Sequence, residues 1–281
     1  MFMKLLNFNT SLWWPARLLY RKYPAKLRFD RMISQIIKLQ PDIITFQELT
    51  DIFLLRRFQQ SLSPDYQAVY GSRFIFTKGG FVTFFKPNIF KLSNRLFYPF
   101  SYQGRWISTE IVNRGLKKGT LQTSFRHLPT GKNIMLYNIH LAINVADRYD
   151  DDLRLVLKKQ LLELSELIKQ DQKTGDLLLL AGDFNAKFDS RVIQDWLKAV
   201  RAKLAIPLGN PTICPSKNPL SNIDVKQDKQ VDNILLVGEG KIKQGELEFN
   251  RVGEFVSARM VFCQKGEFAS DHFGQLAEIN C

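Results

Sequence analysis

Oxygen-bearing side chains recur in this sequence where short apolar runs end or begin. Asn9 follows the run Met3–Phe8, Glu48 follows Ile43–Phe46, Asp183 and Asn185 follow Leu177–Ala181, and Asp271-His272 stands just before Phe273–Ile279. Runs of this length read as strands, and the strands of one sheet can bring their ends to a common rim. Hard oxygen ligands on a rim suit Mg²⁺, which takes a few carboxylates, keeps several waters and accepts substrate phosphate oxygens instead of a full protein cage. Taken singly these residues have plainer roles. Asp183 or Asn185 could cap a helix starting near Ser190, and Glu48 could be a surface acid ahead of Thr50. The recurrence of one residue class at strand ends argues for chemistry.

The positioning elements follow from hydrophobic period. Leu27, Met32, Ile33, Ile36 and Ile37 predict a helix that Pro41 stops. Candidate strands lie at Gln67–Tyr70, Phe81–Phe85, Ile107–Val112, Thr120–Phe125 and Ile134–His140, the last two separated by the turn signal Pro129-Thr130-Gly131. From Asp150 a long helix is expected, with Leu153, Leu157, Leu161, Leu164 and Leu167/Ile168 on one face and acids at its N-terminus. A further helix fits Ser190 to Val200. Residues 207–230 read as a Pro- and Asn-rich loop, and strands at Val231–Val237, Phe255–Phe262 and Phe273–Ile279 close the chain. Strands with interspersed helices and no long linker predict one domain over residues 1–281, with two packed sheets and helices outside.

Composition narrows the function classes. With 281 residues and 45% hydrophobic content the chain can bury a sizeable core, so disorder is excluded as its main state. A formal net charge of +13 attracts polyanions, an anionic membrane surface or nucleic acid among them, although such an excess also solubilises a surface. Three cysteines without paired spacing indicate neither a disulfide framework nor a zinc knuckle. Lys4, Asn7 and Asn9 interrupt the start before a secretory apolar run forms, and no apolar run is long enough to span a bilayer. Membrane contact is therefore expected to be peripheral, and the protein is expected to be a monomer.

Five short motifs make the reading specific. Phe46-Gln47-Glu48, Asn138-Ile139-His140-Leu141, Gly182-Asp183-Phe184-Asn185, Val231-Asp232 and Ser270-Asp271-His272 occur in the order shown by the endonuclease/exonuclease/phosphatase superfamily, and the chain resembles a DNase-I-like enzyme from end to end. The resemblance implies an α/β fold, a four-layer sandwich of two packed mixed β-sheets flanked by helices, whose members hydrolyse DNA, RNA, phosphoinositides or sphingomyelin. It implies Mg²⁺, with Mn²⁺ able to substitute, on Glu48 as principal ligand, with Asn9 and Asp271 bound directly or through water. It implies that Asp183 orients or deprotonates the attacking water, that Asn185 donates its amide to the phosphate, and that His140 binds a nonbridging oxygen or helps the leaving group. His272 would pair with Asp232, which fixes its tautomer and favours the imidazolium. The choice of base between Asp183 and His272 stays open. The sequence departs from the family pattern at Asn233 after Asp232, at Ile139 before His140 and at Phe8 before Asn9, none of which removes a chemical group.

Substrate is the open question. Lys118-Gly119 resembles a Lys-Gly step of lipid-directed members, sphingomyelinases and inositol polyphosphate phosphatases among them, and Asn210-Pro211-Thr212 resembles a substrate-side loop. The aromatic and basic segments Trp13–Lys26 and Phe90–Trp106 would suit an interfacial enzyme, and equally a nuclease that neutralises phosphates and stacks on bases. They could also simply cover sheet edges. The reading leans to a lipid headgroup ester, sphingomyelin or a phosphoinositide. A DNA or RNA nuclease is the alternative, and a catalytically silent polyanion-binding module the second alternative. His127, near Pro129, reads as a solvated surface histidine.

Overall fold

The computed structural model describes residues 1–12, 24–73, 76–103, 117–142, 151–171, 176–221, 227–238, 241–243, 246–248, 253–263 and 268–281. In chain order the elements are β1 (Phe2–Asn9), α1 (Ala25–Leu39), β2 (Ile43–Gln47), α2 (Ile52–Leu62), β3 (Gln67–Arg73), β4 (Phe76–Phe85), β5 (Phe90–Pro99), β6 (Gly119–His127), β7 (Asn133–His140), α3 (Asp151–Asp171), β8 (Leu177–Asp183), α4 (Arg191–Ala199), β9 (Ala202–Leu204), β10 (Asp232–Val237), β11 (Lys241–Lys243), β12 (Glu246–Glu248), β13 (Glu254–Val261) and β14 (Gly274–Asn280). Two six-stranded sheets result, ordered β13-β14-β1-β2-β4-β3 and β5-β6-β7-β8-β10-β9. Each is mixed: β1 and β2 run parallel in the first, β7 and β8 parallel in the second, and the remaining pairs antiparallel.

Strand alternation builds the layers. Met3 and Leu5, Ile43, Leu136, Leu177, Leu179, Ile234 and Ile279 turn inward and form a core that both sheets share. Their neighbours turn outward. Leu6, Phe8, Ile44 and Phe46 pack under α1 and α2, whereas Tyr137, Ile139, Leu178 and Leu180 pack under α3 and α4. The order is helix, sheet, sheet, helix, the four-layer α/β sandwich that the sequence predicts.

The inner faces change character along the strands, and this change positions the site. Toward one end Met3 and Leu5 give way to Asn7 and Asn9, Leu136 to Asn138 and His140, Ala181 to Asp183, Ile234 to Asp232, and Ala277 to Gln275. Apolar residues therefore glue the sheets at one end, and polar residues face one another at the other. Just below the rim the buried amides form a ladder across the sandwich. Asn7 Nδ2 donates to Gln275 Oε1 at 3.3 Å, and Gln47 Nε2 donates to Asn7 Oδ1 at 3.0 Å and to Asn138 Oδ1 at 2.8 Å. Hydrogen bonding of this kind offsets the cost of burying the amides and fixes the relative placement of the two sheets.

Several expectations are corrected. The sequence reading missed α2, although Asp51 caps it by accepting from Phe53 N at 2.7 Å and Leu54 N at 3.3 Å, and Leu54, Leu55, Phe58 and Leu62 are buried at helical spacing. It also missed β5, an exposed edge strand that contains most of the aromatic segment beginning at Phe90. On α1 the buried face is Arg28, Phe29, Met32 and Ile36, while the expected Leu27 and Ile37 are exposed. His127 is buried, its ring 5.3 Å from the Phe90 ring and its Nδ1 2.7 Å from Thr130 Oγ1, because it ends a central strand instead of starting a loop. The expected strand Ile107–Val112 and most of the segment Trp13–Lys26 lie outside the described residues. None of the described helices is long and apolar enough to cross a membrane.

Candidate active site

Asp183 is the hub. It ends β8, where the inward alternation that begins at Leu177 delivers a carboxylate to the rim, and its Oδ2 accepts from Asn9 Nδ2 at 2.9 Å. The same oxygen lies 3.4 Å from His140 Nε2 and 3.9 Å from His272 Nε2. Its other oxygen accepts the backbone N–H of Asn185 at 2.7 Å, a tight turn in which Asn185 takes φ +48°. The Asn185 side-chain amide donates to Leu141 O at 2.9 Å, with one N–H left over. Helix α4 has no side-chain cap, so neither Asp183 nor Asn185 serves that end.

The other residues enter from adjacent strands. Glu48 follows β2, is 7% exposed and adopts φ +60°, a left-handed conformation that a glutamate takes only where its surroundings hold it. Gly80 explains how. Its backbone runs against Glu48, where a Cβ would lie 2.9 Å from the glutamate Cα, and its carbonyl accepts Leu49 N at 3.0 Å. Glu48 Oε1 is 3.6 Å from His140 Nε2, and the Asn9 side chain lies near enough to favour its ionised form. His272 Nδ1 lies 2.8 Å from Asp232 Oδ2. The 207–230 loop, where described, is tied to this corner: Thr212 Oγ1 accepts Asp232 N at 3.1 Å, Phe273 N donates to Thr212 O at 2.7 Å, and Asn218 Nδ2 donates to Ser270 O at 2.8 Å. All eight residues that the sequence singled out thus lie in one buried or half-buried cluster, with Asp271 joined to it by its charge on Glu48 and His272.

Burial and mutual charge set the protonation states. Burial, then the neighbouring Asp232, push Asp183 up to about 7 against the pull of His272 and Lys118. Burial also raises Glu48, and Asp271 adds to it. Burial alone would depress His272, but Asp232, Asp271 and Asp183 outweigh it and hold the imidazolium well above its ordinary value. His140 goes the other way: burial, with Lys118 and His272 nearby, keeps it neutral. The two rim histidines are therefore a cation and a neutral ring, fixed by which partners each faces.

Sequence reasoning missed two buried cations. Lys118, marked in sequence only as part of a Lys-Gly step, is fully buried with its ammonium against both ring nitrogens of His140, 3.2 Å from Nδ1 and nearer to Nε2. Burial pulls it down to about 8, with Glu48 and Asp183 opposing. The Gly119 beside it is required because a Cβ there would meet Tyr98 O at 2.1 Å. Arg28, from α1, donates to Ala269 O at 2.7 Å, Thr10 O at 2.6 Å and Ser11 O at 3.0 Å, so it clasps the loops that carry Asn9 and Asp271. Asn233 serves the scaffold, since its side-chain amide bonds both the N–H and the carbonyl of Ile206.

The donor set fits a hard divalent cation on two observations. Glu48 is raised mainly by its burial, and Asp271 bears on it as a like charge from the same corner, so two carboxylates face one buried space. Asp232 Oδ1 is buried and has no hydrogen-bond partner among the described residues. Asp183, Asp232 and His272 also bring one ligand atom each within 4.8 Å of one another, although His272 Nδ1 already bonds Asp232 Oδ2 there. Hard oxygen donors of the kind such a cation takes also stand at Glu48, Asn9 and Asp271.

Residues 18–272 match a family model described as Endonuclease/Exonuclease/phosphatase family. A relative 25% identical over 209 residues, 70% of this chain and 71% of that protein, is the uncharacterized protein L388 of Acanthamoeba polyphaga mimivirus. Among solved structures, D. rerio TDP2 complexed with a single-strand DNA product superposes at TM-score 0.71 with 13% identity, over 100% of this chain and 99% of that one. A beta toxin from Staphylococcus aureus gives 0.71 with 16% identity, over 98% and 99% of the two chains. The human Nocturnin catalytic domain with bound sulfate gives 0.69 with 15% identity, over 99% and 94%. At these identities the three share the fold of this chain.

Proposed function

The chain belongs to the endonuclease/exonuclease/phosphatase family and is a phosphoesterase, and on that premise we propose that it hydrolyses a lipid-headgroup phosphate ester with the help of a divalent cation. The carrying observation is the convergence of Asn9, Glu48, His140, Asp183, Asp232 and His272 on one buried cluster with Asp183 at its hub. Glu48, with Asn9 and Asp271, would hold Mg²⁺, for which Mn²⁺ can substitute. When bound, the ion supplies Lewis-acid polarisation of a phosphoryl oxygen.

The chain's own residues divide the remaining work. Asp183, raised to about 7 and fixed by Asn9 and the Asn185 N–H, is poised to take a proton from water near neutral pH, which favours it over His272 as the base. His272, held as an imidazolium by Asp232, stabilises negative charge that develops on the phosphate. Neutral His140 and the Lys118 ammonium contact a nonbridging oxygen or the leaving group, and the spare amide hydrogen of Asn185 is a further donor. Exposed β5 supports the lipid substrate, since Lys91, Arg95 and Leu96 project from an edge strand whose Phe97 and Tyr98 are half-buried, a mixture suited to headgroups. The second reading, a nuclease, draws on the likeness to the DNA-bound TDP2 structure.

The test is a mixture of sphingomyelin liposomes, phosphoinositides and a DNA duplex with Mg²⁺, followed by phosphorus NMR, with Asp183→Asn as control. Release of phosphocholine or inorganic phosphate, lost in the variant and in excess chelator, is expected. New terminal phosphates on DNA alone would replace the lipid reading by the nuclease one. Turnover undiminished by chelator would sink the metal.

A further inference from the structure

Asn9, Glu48 and Asp271 come from separate loops, and one side chain ties those loops together. Arg28 is 2% exposed, and its guanidinium forks between two of them. Nε donates to Ala269 O at 2.7 Å, shortly before Asp271, and Nη2 donates to Thr10 O at 2.6 Å and Ser11 O at 3.0 Å, just after Asn9. Thr10 extends the reach to Glu48, since its N and Oγ1 both donate to Gln47 O, at 3.0 and 2.9 Å. Arg31, one turn further along α1, secures the Asp271 loop a second time by donating to Phe268 O at 2.8 Å.

The bonds run on into the side chains of the site. Ser11 takes φ +48°, a left-handed conformation, and in it the Ser11 N–H donates to Asn9 Oδ1 at 3.0 Å. That bond turns the Asn9 amide so that Nδ2 reaches Asp183 Oδ2 at 2.9 Å. On the other loop Ser270 Oγ donates to Asp271 Oδ1 at 3.0 Å. Helix stability does not account for an arginine here. Arg28 stands in the first turn of α1, where the helix dipole disfavours a cation, and a buried guanidinium is costly unless its N–H groups are bonded. The carbonyls of the two loops offset that cost.

We propose that Arg28 is the positioning residue of this corner: by forking between the Asn9 and Asp271 loops it sets the mutual placement of Asn9, Glu48 and Asp271, and through them the affinity for the divalent cation. The inference rests on the reading that these three residues hold the cation. Arg28 acts through the ligands and not on the ion, and residues that orient metal ligands change affinity by about 10–100-fold.

Mn²⁺ titration followed by electron paramagnetic resonance tests the affinity, and ¹H–¹⁵N NMR of the metal-free protein tests the placement. Arg28→Lys keeps the positive charge but has no planar fork. It should bind Mn²⁺ at least about tenfold more weakly than the wild type and release the Asn9 side-chain amide to fast exchange with water. Tyr66→Phe removes a buried hydrogen bond to Pro41 O, before β2 and away from the rim, and should bind Mn²⁺ as the wild type does. Wild-type affinity in Arg28→Lys, or an equal loss in Tyr66→Phe, overturns the proposal. The wild type supplies a measurement that no folding defect can spoil. Because coupling is reciprocal, Mg²⁺ should slow solvent exchange of the Arg28 Nε–H by about the factor that Arg28→Lys loses in affinity. Exchange unmoved by bound Mg²⁺ also overturns the proposal. Failure of the two readings is separable. A wild type that binds no Mn²⁺ rejects the metal corner, while release of Asn9 in Arg28→Lys still supports the positioning; Mn²⁺ bound equally by the wild type and Arg28→Lys, and lost in Glu48→Gln, keeps the metal and rejects the role of Arg28.

Discussion

Glu48 is a conformational exception as well as a functional candidate. A non-glycine residue at φ +60° costs on the order of 1–3 kcal/mol and persists only where the surroundings impose it, here the Gly80 backbone. Removing its charge while keeping its shape separates the two roles. Glu48→Gln should leave folding intact and weaken Mg²⁺ binding by roughly tenfold or more in calorimetry, about 1.4 kcal/mol. Unchanged affinity would move the ion to Asp183, Asp232 and His272. The paired His272 gives a second prediction. Because its folded value lies above the ordinary one of about 6.5, its contribution to stability is full below that pH and is lost as pH rises through the folded value. Asp232→Asn should bring the folded value down and narrow this window, visible as an earlier titration of the His272 ring protons by NMR. A titration unmoved by the substitution would make Asp271 and Asp183 the controlling charges.

At the scale of elements, the parallel pair β7–β8 sets His140 against Asp183. Gly182 permits that spacing, since a Cβ there would lie 2.0 Å from Ile139 O, a backbone atom that cannot swing away. Gly182→Ala should therefore force the two strands apart and destabilise the protein by roughly 1–3 kcal/mol in urea unfolding, the usual range for overpacking. Activity should fall further than stability alone explains, because His140 and Asp183 move with their strands. A variant as stable and active as the wild type would mean that the sheet absorbs the methyl group without separating them.

For the molecule as a whole, a charge of +13 makes association with anionic surfaces salt-dependent. Sedimentation with phosphatidylserine-containing vesicles should be strong at low salt and lost near 1 M, where the Debye length is about 3 Å. A flat salt response would remove the electrostatic part of the lipid reading and leave burial of apolar groups as the only attraction.

The sequence by itself determined the layers and most of the rim. Strand periodicity is local, and Asn9, Glu48, Asp183 and Asp271 are legible because each adjoins an apolar run that announces a strand. The signal for α2 is also present in Asp51 and the spacing of Leu54, Leu55, Phe58 and Leu62. Other features were decided only by tertiary structure. Where both faces of a strand are buried, alternation does not say which face meets the other sheet, so nothing in sequence joins Asn7, Gln47, Asn138 and Gln275 into one ladder. The burial of Lys118 and Arg28 is not legible in sequence, because a lone basic residue carries no local mark of burial. What makes each a buried cation is a set of partners distant in the chain: Glu48 and Asp183 for Lys118, gathered when the two sheets close, and the Ala269 carbonyl for Arg28, brought near when the helix packs on the first sheet.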